Sequence, residues 1–335
     1  MKKEASFWKQ GENKNVICEL CEHRCKIPCL GFGKCGVRQN VDGVLYTHAY
    51  GEVVQENIDP IEKKPLYHFL PGTFTYSIAT IGCNFKCQFC QNWSISQKSY
   101  KDNREHFKEI TPQNAVYNAI GNGTRSISYT YTEPTIFFEY AYDIAILAKQ
   151  KGLKNIFVTN GYMTSKVVEA MSGVIDAVNI DLKFFSDSKY KEICGGGLEP
   201  VKRNIRLFKE KNVWVEVTTL LIPGENDSKE EIEEMGKFLS QIDKNIPWHI
   251  SGFHPDYKYD GSRQTAIEEI NGAVDIAKGC GLKYVYPGNV QGQVNTVCPE
   301  CGNNVITRNS TDGVVLKSMG NGKCKCMERI EGVWN

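Results

Sequence analysis

Three cysteines within eight residues, Cys83, Cys87 and Cys90, have the types and spacing best suited to chemistry in this chain. They lie in Gly82-Cys-Asn-Phe-Lys-Cys-Gln-Phe-Cys-Gln-Asn92, a C-x3-C-x-F-C pattern with no fourth cysteine nearby. A cubane iron–sulfur cluster takes one thiolate per iron. Three thiolates leave one iron without a protein ligand, and an open position distinguishes a reactive metal centre from a closed structural one. Two other readings compete. The triplet suits part of a zinc knuckle, and on a helix positions 83, 87 and 90 would share one apolar face. Gly82 and Asn84 favour turns over helix interiors and argue against both. The apolar run 73–81 just before them reads as a strand. The triplet is expected in a loop at a strand end, where a (β/α) barrel keeps its reactive groups.

Positioning such a loop requires regular elements around it. From residue 73 to about 290, strand and helix signals alternate. Strand candidates are 74–81, 126–132, 155–159, 177–183, 213–222, 247–253 and 283–286. Helical windows lie between them at 111–121, 135–150, 164–171, 200–211, 228–241 and 263–279. In 135–150, Ile136, Phe137, Tyr140, Ile144 and Leu147 fall at helical spacing and Gly152 marks the stop. This alternation implies a parallel sheet with helical crossovers. The expected fold is α/β, a partial (β/α)6-type TIM barrel over 73–290. Periodicity alone leaves an open doubly wound sheet as the alternative. A Cys-rich unit with a lead-in segment (1–72) should precede the barrel, and a small module (291–335) should follow it.

The chain has 335 residues, a net charge of +1 and 24% charged residues, so charge points to neither nucleic acid nor membrane. The N-terminus lacks the apolar run of a signal peptide. No stretch approaches the ~20 apolar residues of a membrane span. A cytoplasmic protein is expected. Its 14 cysteines cluster closely, which reads as metal binding, not disulfides. Cys18, Cys21, Cys25 and Cys35 can close a zinc site or a second iron–sulfur site, with Cys29 extra. Cys298, Cys301, Cys324 and Cys326 suggest a zinc ribbon or rubredoxin-like knuckle, or again iron–sulfur. Cys194 and Cys280 stand alone; Cys194, just before Gly195-Gly-Gly197, reads either as a thiol lining the mouth or as a buried or idle surface thiol.

Polar residues follow the strands. Glu133, in Tyr131-Thr-Glu-Pro134, suits either an ammonium partner or an N-cap cluster with Thr132 as the cap. Asn160 lies in Thr159-Asn-Gly161, which also reads as a plain turn. Asp181 and Lys183 share one face of their strand; they either pair with each other or meet a ligand. His254 follows the sixth strand and His249, on the opposite face, reads as core. Ile222-Pro-Gly-Glu-Asn-Asp227 reads as a turn, with Asp227 or Ser228 capping the next helix.

On these residues the central ~210 positions resemble the glycyl-radical-enzyme activating enzymes of the radical S-adenosylmethionine (SAM) superfamily, typified by pyruvate formate-lyase activase. The resemblance rests on the cysteine triplet, Thr-Glu-Pro at 132–134, Thr-Asn-Gly at 159–161, Asp-Leu-Lys at 181–183, the 222–227 loop and Phe253-His254. It implies a [4Fe–4S] cluster on Cys83, Cys87 and Cys90, SAM on the open iron, Phe89 over the adenine, and SAM contacts from Glu133, Asn160, Asp181, Lys183 and His254. The usual Gly-Gly-Glu-Pro is here Tyr-Thr-Glu-Pro. Cys18-x2-Cys21-x3-Cys25, Gly33-Lys-Cys-Gly-Val-Arg38, Asp59-Pro-Ile-Glu-Lys-Lys-Pro-Leu-Tyr-His-Phe69 and the terminal cysteine pairs are similar to the radical SAM proteins of the AmmeMemoRadiSam system. That likeness covers almost the whole chain.

The resemblance implies reductive cleavage of SAM to methionine and a 5′-deoxyadenosyl radical that abstracts hydrogen from an unidentified substrate. A low-potential donor, flavodoxin or ferredoxin, would supply the electron. Partners would be the two AmmeMemo-system proteins or, in an activase, a glycyl radical enzyme. A reading from another class is a zinc-binding adaptor for RNA or protein.

Overall fold

The computed structural model describes residues 2–100, 107–309 and 315–335. The chain forms two compact units. The first comprises Met1–Asp59, Phe74–Val178 and Asp187–Val213; the second comprises Pro60–Thr73, Asn179–Ser186 and Trp214–Asn335.

The first unit carries parallel strands β1 (Phe74–Thr80), β2 (Ser126–Tyr129) and β3 (Lys154–Thr159). Strand β2 lies between the other two, with Ser126 opposite both Thr75 and Lys154. The strands are buried on both faces along most of their length, as a sheet covered by crossover helices requires. Helix α1 (Pro112–Gly121) begins where the Thr111 side chain accepts from Asn114 N at 3.2 Å, with proline in its first turn. A 3-10 turn, Pro134–Phe137, leads into α2 (Phe138–Gln150). Helix α3 spans Ser165–Ser172, and at β4 (Ala177–Asp181) the chain passes into the second unit. It returns for α4 (Leu198–Glu210).

The N-terminal segment, without pattern in the sequence, forms two three-stranded antiparallel sheets of two- to four-residue strands. Strands so short show no readable period. They are held by buried polar contacts instead. The Arg38 guanidinium pairs with Glu139 of α2 and donates to Ser6 O at 3.1 Å, while Glu139 Oε1 accepts from Ser6 N at 2.6 Å.

The second unit carries parallel strands β5 (Trp214–Leu221), β6 (Trp248–Gly252) and β7 (Val285–Gly288), with helices α5 (Lys229–Ile242) and α6 (Ile267–Gly279). Ser228, not Asp227, caps α5, accepting from Glu231 N at 3.2 Å. Antiparallel strands β8 (Gln293–Val297), β9 (Asn304–Asn309) and β10 (Val315–Lys317) complete it, packed around Tyr284, Tyr286, Val294, Ile306 and Ile330.

The fold is α/β with a mostly parallel sheet, and all seven expected strands and all six helical windows hold the expected element. The second strand ends at Tyr129, earlier than its apolar run suggests, because Tyr131 takes a left-handed φ of +63°. Among the described residues no helix is long and apolar enough to cross a membrane.

Candidate functional site

In the first unit, β1 ends at Thr80 and the cysteine triplet follows in a loop without regular structure, closed by the short helix Trp93–Ser96. Gly82 opens the loop at φ +92°, and a Cβ there would lie 2.5 Å from the Cys35 carbonyl oxygen. Only glycine meets both conditions. Backbone bonds then pin the loop. Gly82 N donates to Ile95 O at 2.9 Å, Lys86 N to Cys194 O at 2.8 Å and Gln88 N to Ile193 O at 3.0 Å. Ile193 and Cys194 belong to a π-helical turn, Tyr190–Cys194, which the sequence did not announce. Cys194 is buried, and its carbonyl accepts from the loop.

Cys87 is buried; Cys83 and Cys90 are partly so. Burial pushes the Cys83 thiol well up, and Glu133, Cys87 and Cys90 push it in the same direction. Three thiolates crowded beside a carboxylate need a bound cation to persist there. That donor set, with Phe85 N donating to Cys83 Sγ at 3.4 Å, fits a three-thiolate cluster.

Glu133 and Asn160 both border this loop. The buried Glu133 carboxylate accepts four hydrogen bonds, from Thr135 N (3.0 Å), Thr135 Oγ1 (2.5 Å), Thr159 Oγ1 (2.7 Å) and Asn160 N (2.8 Å). It, and not Thr132, caps the Pro134–Phe137 turn, while Thr132 Oγ1 donates to Thr80 O at 2.9 Å. The net effect of its burial is a carboxyl held above its usual range. Asn160 Nδ2 donates to Asn84 Oδ1 at 2.7 Å, and its Oδ1 accepts from Tyr162 N at 3.0 Å. The end of β3 thereby grips the residue after Cys83. Phe89 is buried in the same unit.

Asp181, Lys183 and His254 belong to the second unit. Asp181 Oδ2 and Lys183 Nζ pair at 2.7 Å, as their shared face allowed. His254 follows β6 and is exposed. Asn226, in the 222–227 motif, staples its loop: its Oδ1 accepts from Ile222 N at 2.7 Å and its Nδ2 donates to Lys183 O at 2.7 Å.

A family model described as the radical SAM superfamily matches residues 77–239. A Methanocaldococcus jannaschii protein named as a candidate glycyl-radical enzyme activating enzyme is 30% identical over 213 residues, covering 62% of this chain and 77% of the relative. The chain belongs to the radical SAM superfamily. An uncharacterized protein of the same organism is 40% identical over 334 residues, 98% of this radical SAM chain and 99% of the relative. Among solved structures, a radical SAM methyltransferase from Sphaerobacter thermophilus shares the fold at a TM-score of 0.52 and 16% identity, over 65% of this chain and 67% of that one.

Beyond the triplet, this radical SAM protein carries two further cysteine sets. In the second unit Cys298, Cys301, Cys324 and Cys326 have all four sulfurs within 4.8 Å of one another, with Cys298–Cys326 at 3.6 Å and Cys301–Cys324 at 3.5 Å. Two thiolates on one tetrahedral zinc at ~2.3 Å lie ~3.8 Å apart, so the set fits a single ion. The shortened Cys324-x-Cys326 spacing is no obstacle to this gathering. In the first unit Cys18, Cys21, Cys25 and Cys35 converge on a cavity of about 10 Å³, while Cys29 is exposed. Cys280 Sγ faces the Ile276 carbonyl at 3.4 Å and is a packing thiol.

The second unit also holds a cavity of about 350 Å³ that sequence reasoning missed. Tyr67, His249, Ser251, Asn289 and Arg308 contribute to its wall. His249 is buried, as expected of a core residue, yet it lines this space; its Nε2 lies 2.7 Å from Glu216 Oε2. The signal was the 59–69 motif, whose Tyr67 and His68 backbone amides donate to Glu216 at 3.0 and 2.8 Å.

Proposed function

We propose that this chain is a SAM-cleaving enzyme whose cluster is held by Cys83, Cys87 and Cys90 and whose substrate gives up a hydrogen atom. The observation that supports it most is the triplet loop: three thiols within eight residues, no fourth in the loop, and backbone bonds fixing the loop from both sides. When bound, the cluster and SAM supply one-electron cleavage of the sulfonium and a hydrogen-abstracting radical. The chain's own residues supply position and dryness. Glu133 ties the end of β2 to that of β3, and Asn160 holds Asn84 beside the first cysteine. Phe89 is proposed to cover the adenine. Asp181, Lys183 and His254 are proposed as SAM ligands on the strength of their motifs alone. Anaerobic reconstitution with dithionite and SAM should release 5′-deoxyadenosine and methionine from the native chain and none from Cys83→Ala; release by that variant would refute the assignment.

The substrate assignment is of the AmmeMemoRadiSam type, supported by cysteine modules at both ends that a minimal activase does not need. An activase that removes hydrogen from a glycine of a partner protein is the second reading, supported by the 30% identical relative. Electron paramagnetic resonance of the chain mixed with a glycyl radical enzyme separates them: a protein-centred signal favours the activase. A reduced flavodoxin or ferredoxin is the proposed electron donor in either case, and the cytoplasm the proposed location.

A further inference from the structure

The four N-terminal cysteines differ in geometry from the four C-terminal ones. Among the described residues, the C-terminal set is the group whose ligand atoms all lie within 4.8 Å of one another. Cys18, Cys21, Cys25 and Cys35 are spread more widely around a cavity of about 10 Å³. A tetrahedral zinc draws four sulfurs to within ~2.3 Å of one centre. No water-sized sphere fits among sulfurs so placed, whereas ~10 Å³ is about the space that one such sphere needs. The N-terminal sulfurs thus lie farther apart than the ligands of a single zinc, as the thiolates around a multi-iron core do.

Its surroundings suit a buried anion. Arg38 lines the cavity while only 1% exposed, its Nη1 lies 3.8 Å from Cys18 Sγ, and its buried Nε has no hydrogen-bond partner. Hydrogen bonds to cluster sulfurs and local charge are what set cluster potentials.

The site also touches the triplet loop through the residues between its own ligands. His23, between Cys21 and Cys25, has its Nε2 2.8 Å from the carbonyl oxygen of Asn84, the residue after Cys83. The Cys35 carbonyl abuts Gly82, the residue before Cys83, and Asn84 itself lines the N-terminal cavity.

We propose that Cys18, Cys21, Cys25 and Cys35 bind a second iron–sulfur cluster, which relays electrons to the cluster on Cys83, Cys87 and Cys90. With all of its ligands from protein, this cluster has no open iron and works by electron transfer alone. A reduced flavodoxin- or ferredoxin-class donor is oxidised by one electron, the N-terminal cluster is reduced by one, and it is reoxidised as the electron passes to the triplet cluster. No bond is made or broken and no proton moves. The relay rests on the radical SAM reading; the cluster itself does not.

Iron, zinc and acid-labile sulfide are counted in the full chain after anaerobic reconstitution. About eight irons and one zinc per chain are expected, from two four-iron clusters and the C-terminal ion. About four irons and two zincs would overturn the proposal unless the irons survive in the triple variant C83A/C87A/C90A. That variant should keep about four irons and a dithionite-reducible resonance signal. Iron that disappears with the triplet overturns the N-terminal cluster; iron that stays upholds it even if the native chain fails to cleave SAM. For the relay, Cys18→Ser with Cys21→Ser should lose reduction of the triplet cluster by ferredoxin and retain its reduction by dithionite. Unchanged reduction by ferredoxin would refute the relay.

Discussion

Gly82 is the residue on which the triplet loop turns. A Cβ would strike the Cys35 carbonyl oxygen, and φ +92° is unfavourable to any side chain. Gly82→Ala is expected to leave the helical content of the chain intact, by circular dichroism, while lowering reconstituted iron. Full iron content would show that the loop tolerates the displacement. At Glu133 the issue is satisfaction. Four donors converge on one buried carboxylate, and Glu133→Gln turns one acceptor into a donor facing donors. A loss of about 2–4 kcal/mol in denaturant unfolding is expected. The replacement of the usual glycine by Tyr131 has a structural answer too. Tyr131 keeps a left-handed φ of +63°, and its hydroxyl pairs with Asp59 and accepts from Asn57 Nδ2 at 2.9 Å. The side chain offsets part of the ~1–2 kcal/mol that such a backbone costs an L-residue.

At the scale of elements, strand β5 carries the clearest pH-dependent contact. Glu216 is fully buried and accepts from Tyr67 N, His68 N, Trp214 Nε1 and His249 Nε2. Burial alone would raise its carboxyl, but the bond from His249 and the charges of His249 and His68 hold it below the ordinary range. A carboxyl depressed in the fold adds stability above its unfolded pKa of ~4.3, and that stability is lost as pH falls through the folded value. The urea midpoint of the native chain should therefore fall more steeply below about pH 4 than that of Glu216→Gln. The variant should start about 3 kcal/mol lower at neutral pH. Equal slopes would contradict this. The β8–β10 module offers a second test. Cys301→Ser with Cys326→Ser should remove one zinc per chain without loss of iron, measured by elemental analysis.

Over the whole molecule, the elements with a local period could be read directly from the sequence. Strands β1–β7 and helices α1–α6 carry their signal in apolar spacing and in caps such as Thr111 and Ser228. The cysteine sets were legible because ligand spacing is itself local. The rest depends on distant pairs. Arg38 meets Glu139 across 101 residues, Asn160 meets Asn84 across 76, and His68 meets Glu216 across 148. No window of the sequence contains both partners. The π turn that pins the triplet loop is equally invisible, since Tyr190–Cys194 has no composition that separates it from a helix end. Whether a terminal cysteine set surrounds one ion or a larger core was also beyond spacing, because it depends on how far apart the folded backbone holds the sulfurs.

The central claim is that Cys83, Cys87 and Cys90 hold the cluster that cleaves SAM. Its most direct test is 5′-deoxyadenosine release by the anaerobically reconstituted full chain, reduced with dithionite in the presence of SAM, beside Cys83→Ala, Cys87→Ala and Cys90→Ala. The account predicts release by the native chain and none by any of the three variants. No release by a native chain carrying its full iron, or release that persists in a variant, would contradict it.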